Sequence, residues 1–249
     1  MYRVSKVLNN NGVIAIDMDE NKEYVILGKG VGFGKKVSQR FDKPEGCTTY
    51  RLEQETERGS AKELVKGIEP EYLEIADAIL TESQKVFGDS IDRGILFPLA
   101  DHISFAVARI RRNEQISNPL TEDIKVLFYS EFKVAETLKT ILRERLQIEI
   151  DDHEVGYVAL HIHSAIGDEK VSVAMQTARA VRECIDMIEK ATGKPIDVLS
   201  LSYNRLMNHM KYMVARASTG EKLNMDMNED MLDQYPQAYK VATDICKNL

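Results

Sequence analysis

Cysteine is scarce in this chain, with three in 249 residues, and Cys47, Cys184 and Cys246 stand far apart without a C-x-x-C pair. That spacing argues against a disulfide framework or a cysteine zinc site and fits a reducing cytoplasm. Long apolar runs are missing too. Nothing approaches the roughly 18 apolar residues of a membrane span, and no secretory signal opens the sequence. Nucleotide motifs fail on spacing. In the glycine-rich stretch LGKGVGFGKK (27–36), the third glycine of a dinucleotide fingerprint falls on Phe33. A phosphate loop would need glycine at Lys29 and serine or threonine at Lys36. No cofactor and no metal is therefore expected.

What that stretch does contain is glycine at 28, 30, 32 and 34 beside Lys29, Lys35 and Lys36. Bare backbone next to ammonium groups suits close approach to phosphates, with a hairpin joining two strands as the plainer alternative. Charge is segregated in the same way. Residues 1–55 hold nine of the 33 basic and eight of the 40 acidic side chains, so the remainder carries 24 against 32. From Lys29 to Arg40 there are four basic residues and no acidic one. The locally basic surface coincides with the glycine-rich segment, as a phosphate-binding surface requires.

Periodicity divides the chain near residue 60. Residues 3–8, 13–17 and 23–27 are short, β-branched and separated by turn signals, and a fourth strand is expected around 48–52. From about residue 60 the period is helical to the end, with Gly59 and Ser60 suited to a boundary and a helix cap. The expected fold is multidomain, β followed by all-α: a small four-stranded antiparallel sheet, marginal alone and suited to a partner chain, then helical bundles.

The helical part repeats. GDSID (88–92) matches GKPID (193–197), HISFAVAR (102–109) matches HMKYMVAR (209–216), and FKVA (132–135) matches YKVA (239–242). The spacing predicts two homologous helical domains, 65–170 and 171–249, behind an N-terminal domain at 1–57. Copy one closes with DDHEVGYVALHIHSA, where Asp151 and Glu154 resemble a capping box and Val155, Val158, Ala159, Ile162 and Ile166 form an apolar stripe. The matching helix of copy two would lie past Leu249, so the second copy is expected to be incomplete.

Leu99, Ile103, Ala106 and Ile110 form the buried stripe of another helix, and His102, Phe105 and Arg109 line up beside it. His209, Tyr212 and Arg216 repeat that line in copy two. A histidine kept beside an arginine in both copies suits a phosphorylated imidazole with a guanidinium partner, so Arg109 and Arg216 are phosphate-pairing candidates. The competing reading is a structural histidine flanking a core. His161 and His163 fall off the stripe of their helix, and His153 lies in its cap.

Together, KVLNNNGVIAI, LGKGVGFGKK, LADHISFAVAR and GYVALHIHSA resemble the BglG/SacY-type transcriptional antiterminators over essentially the whole chain. The resemblance implies a dimeric co-antiterminator RNA-binding domain followed by two PTS regulation domains, where PTS is the bacterial sugar phosphotransferase system. It further implies RNA contacts at Lys6, Asn9, Asn11, Gly28, Lys29, Gly30 and Phe33, and phosphorylation at His102, His161 and His209, with His102 and His161 at the surface and close in space. Amides reading base edges, an aromatic ring stacking and lysines on phosphates make sensible RNA chemistry. The implied protein is a homodimer that is not an enzyme. It binds a ribonucleic antiterminator hairpin and answers to a sugar permease and the histidine phosphocarrier protein. Two rivals are a histidine phosphocarrier and a DNA-binding activator with the same regulatory domains. The first would need a further phosphate acceptor, the second a helix-turn-helix where the sequence reads as strands.

Overall fold

The computed structural model describes all residues except 54, 57–58, 115, 168–169, 198–199, 221–231 and 249. Two compact units emerge: residues 1–118 with 130–170, and residues 119–129 with 171–249.

The first unit begins with an antiparallel sheet of β1 (Tyr2–Asn9), β2 (Gly12–Asp17), β3 (Glu23–Leu27), β4 (Arg40–Phe41) and β5 (Thr48–Arg51). Their order across the sheet is β4-β1-β2-β3-β5. Four of these match the expected strands, and the two-residue β4 adds a fifth by pairing Tyr2 with Phe41 and Arg3 with Arg40. Such a strand is too short to leave a period in the sequence. Val4, Val13, Ala15 and Ile26 are buried on one face and meet Val31, Phe41 and Cys47 from the loops. Removing that much apolar surface from water is the chief stabilising term for so small a sheet. In β3 three consecutive residues, Val25, Ile26 and Leu27, are fully buried. Alternating side chains point to opposite faces, so this strand must be covered on both. The second cover is helical: the Tyr50 ring meets Phe97 edge-on at 6.4 Å.

A two-stranded ribbon, β6 (Glu55–Thr56) with β7 (Gly59–Ser60), leads into α1 (Ala61–Gly67). Ser60 does occupy the N-cap position, but its side chain makes no capping hydrogen bond. Next come α2 (Pro70–Phe87) and α3 (Leu96–Arg111), which pack against each other. Pro70 at the first turn of α2 is pre-set for a helix. The first unit continues through α5 (Tyr129–Ala135), which starts at the boundary, then α6 (Thr137–Leu146) and α7 (Asp152–Gly167). The second unit contains α4 (Thr121–Leu127), α8 (Val171–Thr192), α9 (Leu201–Thr219) and α10 (Pro236–Asn248).

The repeat acquires a physical basis here. Gly88 follows the last residue of α2 with φ 64°, and Gly193 follows that of α8 with φ 65°. Both GDSID and GKPID thus stop a helix with a left-handed residue, the conformation glycine adopts without steric penalty.

Candidate nucleic-acid interface and histidine pair

Because β4 lies beyond β1, the chain leaving β3 must cross the end of the β1–β2 hairpin. LGKGVGFGKK is that crossing, a series of turns rather than a hairpin of its own. The amide of Gly28 donates to the Asn11 carbonyl at 2.9 Å and that of Gly32 to the Asn10 carbonyl at 3.0 Å. A Cβ on Gly32 would sit 2.0 Å from the Asn9 carbonyl oxygen, so only glycine lets the two loops touch. Gly30 turns with φ 74°. The asparagines join the loops through side chains as well. Asn9 Oδ1 accepts from the Asn11 amide at 2.8 Å, and Asn11 Oδ1 accepts from the Gly30 amide at 3.0 Å.

The resulting surface holds Asn9, Asn11, Gly28, Lys29, Gly30 and Phe33, while Lys6 lies three residues before Asn9 on β1. Lys6, Lys29 and Gly30 are exposed, while Asn9, Asn11 and Gly28 are half-buried. Phe33 is 73% exposed, so it does not fill the sheet. A turn chain holding a bare aromatic ring costs burial energy that nothing in the sheet returns. β1 approaches this surface through register shifts between Val4 and Lys6 and between Val7 and Asn9. Such irregularities re-aim side chains at the rim of a sheet.

The second site lies between α3 and α7. His102 and His161 face each other with ring centroids 5.2 Å apart, as expected, yet both are buried, at 8% and 7% exposed. The expectation of surface histidines is therefore corrected. Tyr157 covers His102 at 5.8 Å, and α7 buries residues on both sides of its apolar stripe, His161 among them. Glu154 also departs from its expected place. Asp151 caps α7, its Oδ1 accepting from the His153 and Glu154 amides at 3.0 and 3.2 Å. The Glu154 carboxylate does not complete the capping box. It turns inward, 2.9 Å from Arg109 and 3.5 Å from His102 Nε2. Its position seven residues before His161 puts both on one face of α7, the one sequence signal that links them.

Desolvation pushes the Glu154 carboxyl upward, but the adjacent His102 imidazole and the hydrogen-bonded Arg109 guanidinium outweigh it and hold the group below its ordinary 4.5. A depressed folded-state pKa adds stability that is complete above the unfolded value and lost as pH falls through the folded one. The first unit should thus lose stability below about pH 4.5, and Glu154→Gln should flatten that acid limb in urea titrations run at several pH values. An unchanged acid limb would contradict the assignment.

Other pairs had no signature in the sequence. His163 Nδ1 lies 2.8 Å from Glu131, and His153 Nδ1 contacts the Asn118 backbone. Asp77 of α2 accepts from Thr48 at 2.9 Å and from Tyr50, with Arg93 2.9 Å away. In the second unit, the Tyr203 hydroxyl donates to Asp123 at 3.1 Å. Burial and the Asp123 charge push that phenol up to about 12. His209 and Tyr212 are exposed on α9, and Arg216 is half-buried. His209 lines a groove of about 880 Å³ with Ile188, Met210, Met213, Val241 and Ile245. Copies one and two therefore hold their histidines differently. Among the described residues no His/Cys/Asp/Glu group could hold a metal, and no helix is long and apolar enough to cross a membrane.

Comparison with known proteins places these two sites in context. The CAT RNA binding domain profile matches residues 2–59, and the PRD domain profile matches twice, at 77–165 and 182–249. The "GlcA/glcB genes antiterminator" of Staphylococcus carnosus is 30% identical over 252 residues, covering 99% of this chain and 87% of that protein. "Protein GlcT" of Staphylococcus haemolyticus is 29% identical over 249 residues, with the same coverages of 99% and 87%. A solved structure of the GlcT CAT-PRDI portion is 29% identical with a TM-score of 0.58, covering 67% of this chain and 98% of that one.

Proposed function

Because the chain belongs to the CAT–PRD family, the BglG/SacY-type transcriptional antiterminators, we propose that its glycine-loop surface clamps an RNA hairpin and so keeps an overlapping terminator from forming. The protein is a PTS-regulated RNA-binding antiterminator of a sugar operon. In this reading Lys6 and Lys29 meet phosphates, Asn9 and Asn11 read base edges, Gly28 and Gly30 permit close approach, and Phe33 stacks on a base. The Phe33 ring, left exposed on a basic loop whose Val31 is buried in the core, carries the reading. The active form is a cytoplasmic homodimer joined through the sheet, and it is not an enzyme.

His102, His161 and His209 are the phosphate acceptors, served by the sugar permease and the histidine phosphocarrier protein. Burial gives the first two a mechanical consequence. A donor protein reaches His102 only when the α3–α7 face opens. A phosphoryl group there would bring roughly −1.5 to −2 charge beside the Glu154 carboxylate. That repulsion, with Arg109 free to leave Glu154 for the phosphate, makes the unopened packing unfavourable. Arg216 offers the same partner to His209. The switch acts on packing between helices, and the paired RNA-binding sheet responds.

A mobility-shift titration tests the reading. The chain should retain hairpin RNA from a selected pool and release it as salt rises, while duplex DNA of equal length binds weakly and without sequence preference. Preferential retention of duplex DNA would favour the DNA-binding activator instead.

A further inference from the structure

The two asparagines assigned to RNA are already occupied by another part of the same unit. Asn9 Nδ2 donates to Glu74 Oε1 at 2.7 Å, and Asn11 Nδ2 donates to Glu74 Oε2 at 3.2 Å. The amide orientation is set independently, since both Oδ1 atoms accept backbone N–H groups from the loops and must face away from the carboxylate. One side chain of α2, 65 residues along the chain, thus bridges the tip of the β1–β2 hairpin.

We propose that Glu74 is an intramolecular competitor for the RNA, an inference that rests on the RNA-binding reading above. A carboxylate offers two NH₂ groups what a phosphate or a base carbonyl would offer: acceptor oxygens and no donor. RNA cannot use those two N–H groups, one from each amide, while Glu74 holds them. It would also bring phosphate charge towards a carboxylate that is only 17% exposed and weakly screened by water.

The contrast with Asp77, one helical turn further along α2, separates a competitor from a clamp. Asp77 binds Thr48 and Tyr50 of β5, but Arg93 lies 2.9 Å from it and neutralises it. That contact ties the sheet to the helices with its charge balanced. Glu74 pairs with Arg145 at a longer 3.7 Å. Its charge is less fully matched, and it falls on donors that the RNA needs rather than on a strand side chain. The apparent affinity for RNA is then the intrinsic one reduced by the fraction of molecules in which Glu74 has let go. Because α2 also packs along α3, which carries His102, a change in α3 packing has a direct route to that fraction.

The experiment selects hairpins from a random-loop RNA library in parallel on the full chain and on full-length Glu74→Ala, then measures both proteins on each winning hairpin. Glu74→Ala should bind about tenfold more tightly. Glu74→Gln, nearly isosteric and still one acceptor, should gain less and guards against a folding defect in the alanine variant. The gain should shrink when Asn9→Ala is the background, where only the Asn11 amide contact to Glu74 remains. Equal or weaker binding by both Glu74 variants would overturn the competitor while leaving RNA binding intact. Failure of either protein to enrich any RNA would overturn the RNA reading, and the competitor with it.

Discussion

Arg109→Ala should destabilise the first unit by about 3–5 kcal/mol, the largest single-residue effect expected at the histidine site. The reason is what stays behind. Glu154 is 5% exposed and would keep a buried negative charge with only His102 nearby, at 3.5 Å. The reverse truncation should cost less, about 1–2 kcal/mol, because the Arg109 side chain is 25% exposed and its guanidinium can reach water. Urea midpoints for the two single variants should show this asymmetry. The double variant Arg109→Ala/Glu154→Gln should recover much of the loss, since it removes both charges. Equal losses, or no recovery, would mean that the pair is not held in a dry site.

Phe33→Ala should lower RNA affinity by about 1–3 kcal/mol, roughly 5- to 150-fold, with no change in the unfolding midpoint. The split between the two readouts matters. A ring that is 73% exposed contributes little to folding, so its loss is felt only if something stacks on it. Asn11 is a poorer probe of readout, because its Oδ1 also accepts the Gly30 amide and an alanine there loosens the loop. Unchanged affinity in Phe33→Ala would remove stacking from the interface.

Local features were legible in the sequence. The strand boundaries followed from alternation and turn residues, and β1, β2, β3 and β5 lie within a residue or two of their expected places. The helical repeat was legible because matching segments do matching local work, such as the helix-stopping Gly88 and Gly193. The pairing partners were not. Glu154 meets Arg109 across 45 residues, and Glu74 meets Asn9 across 65. Side-chain pairing over such separations imposes no period, and a single charged residue reads the same whether it faces water or a partner. Glu154 was assigned to a capping box because that rule is local, whereas the tertiary partner, Arg109, won the carboxylate. The burial of His102 and His161 was missed for a related reason: the stripe of α7 defines one apolar face, but this helix is covered on more than one. Residues 119–129 separate from their sequence neighbours in the same way, because α4 packs on α8 and α9.

In the proposed mechanism, histidine phosphorylation in the helical part governs the RNA-binding sheet. The deciding measurement compares hairpin-RNA affinity of the intact chain before and after phosphoryl transfer from the permease, with His102→Ala/His161→Ala alongside. Phosphorylation should lower affinity by at least about tenfold, and the double variant should be insensitive to the treatment. Affinity that stays the same while phosphate is demonstrably bound at His102 or His161, or an equal fall in the double variant, would contradict it.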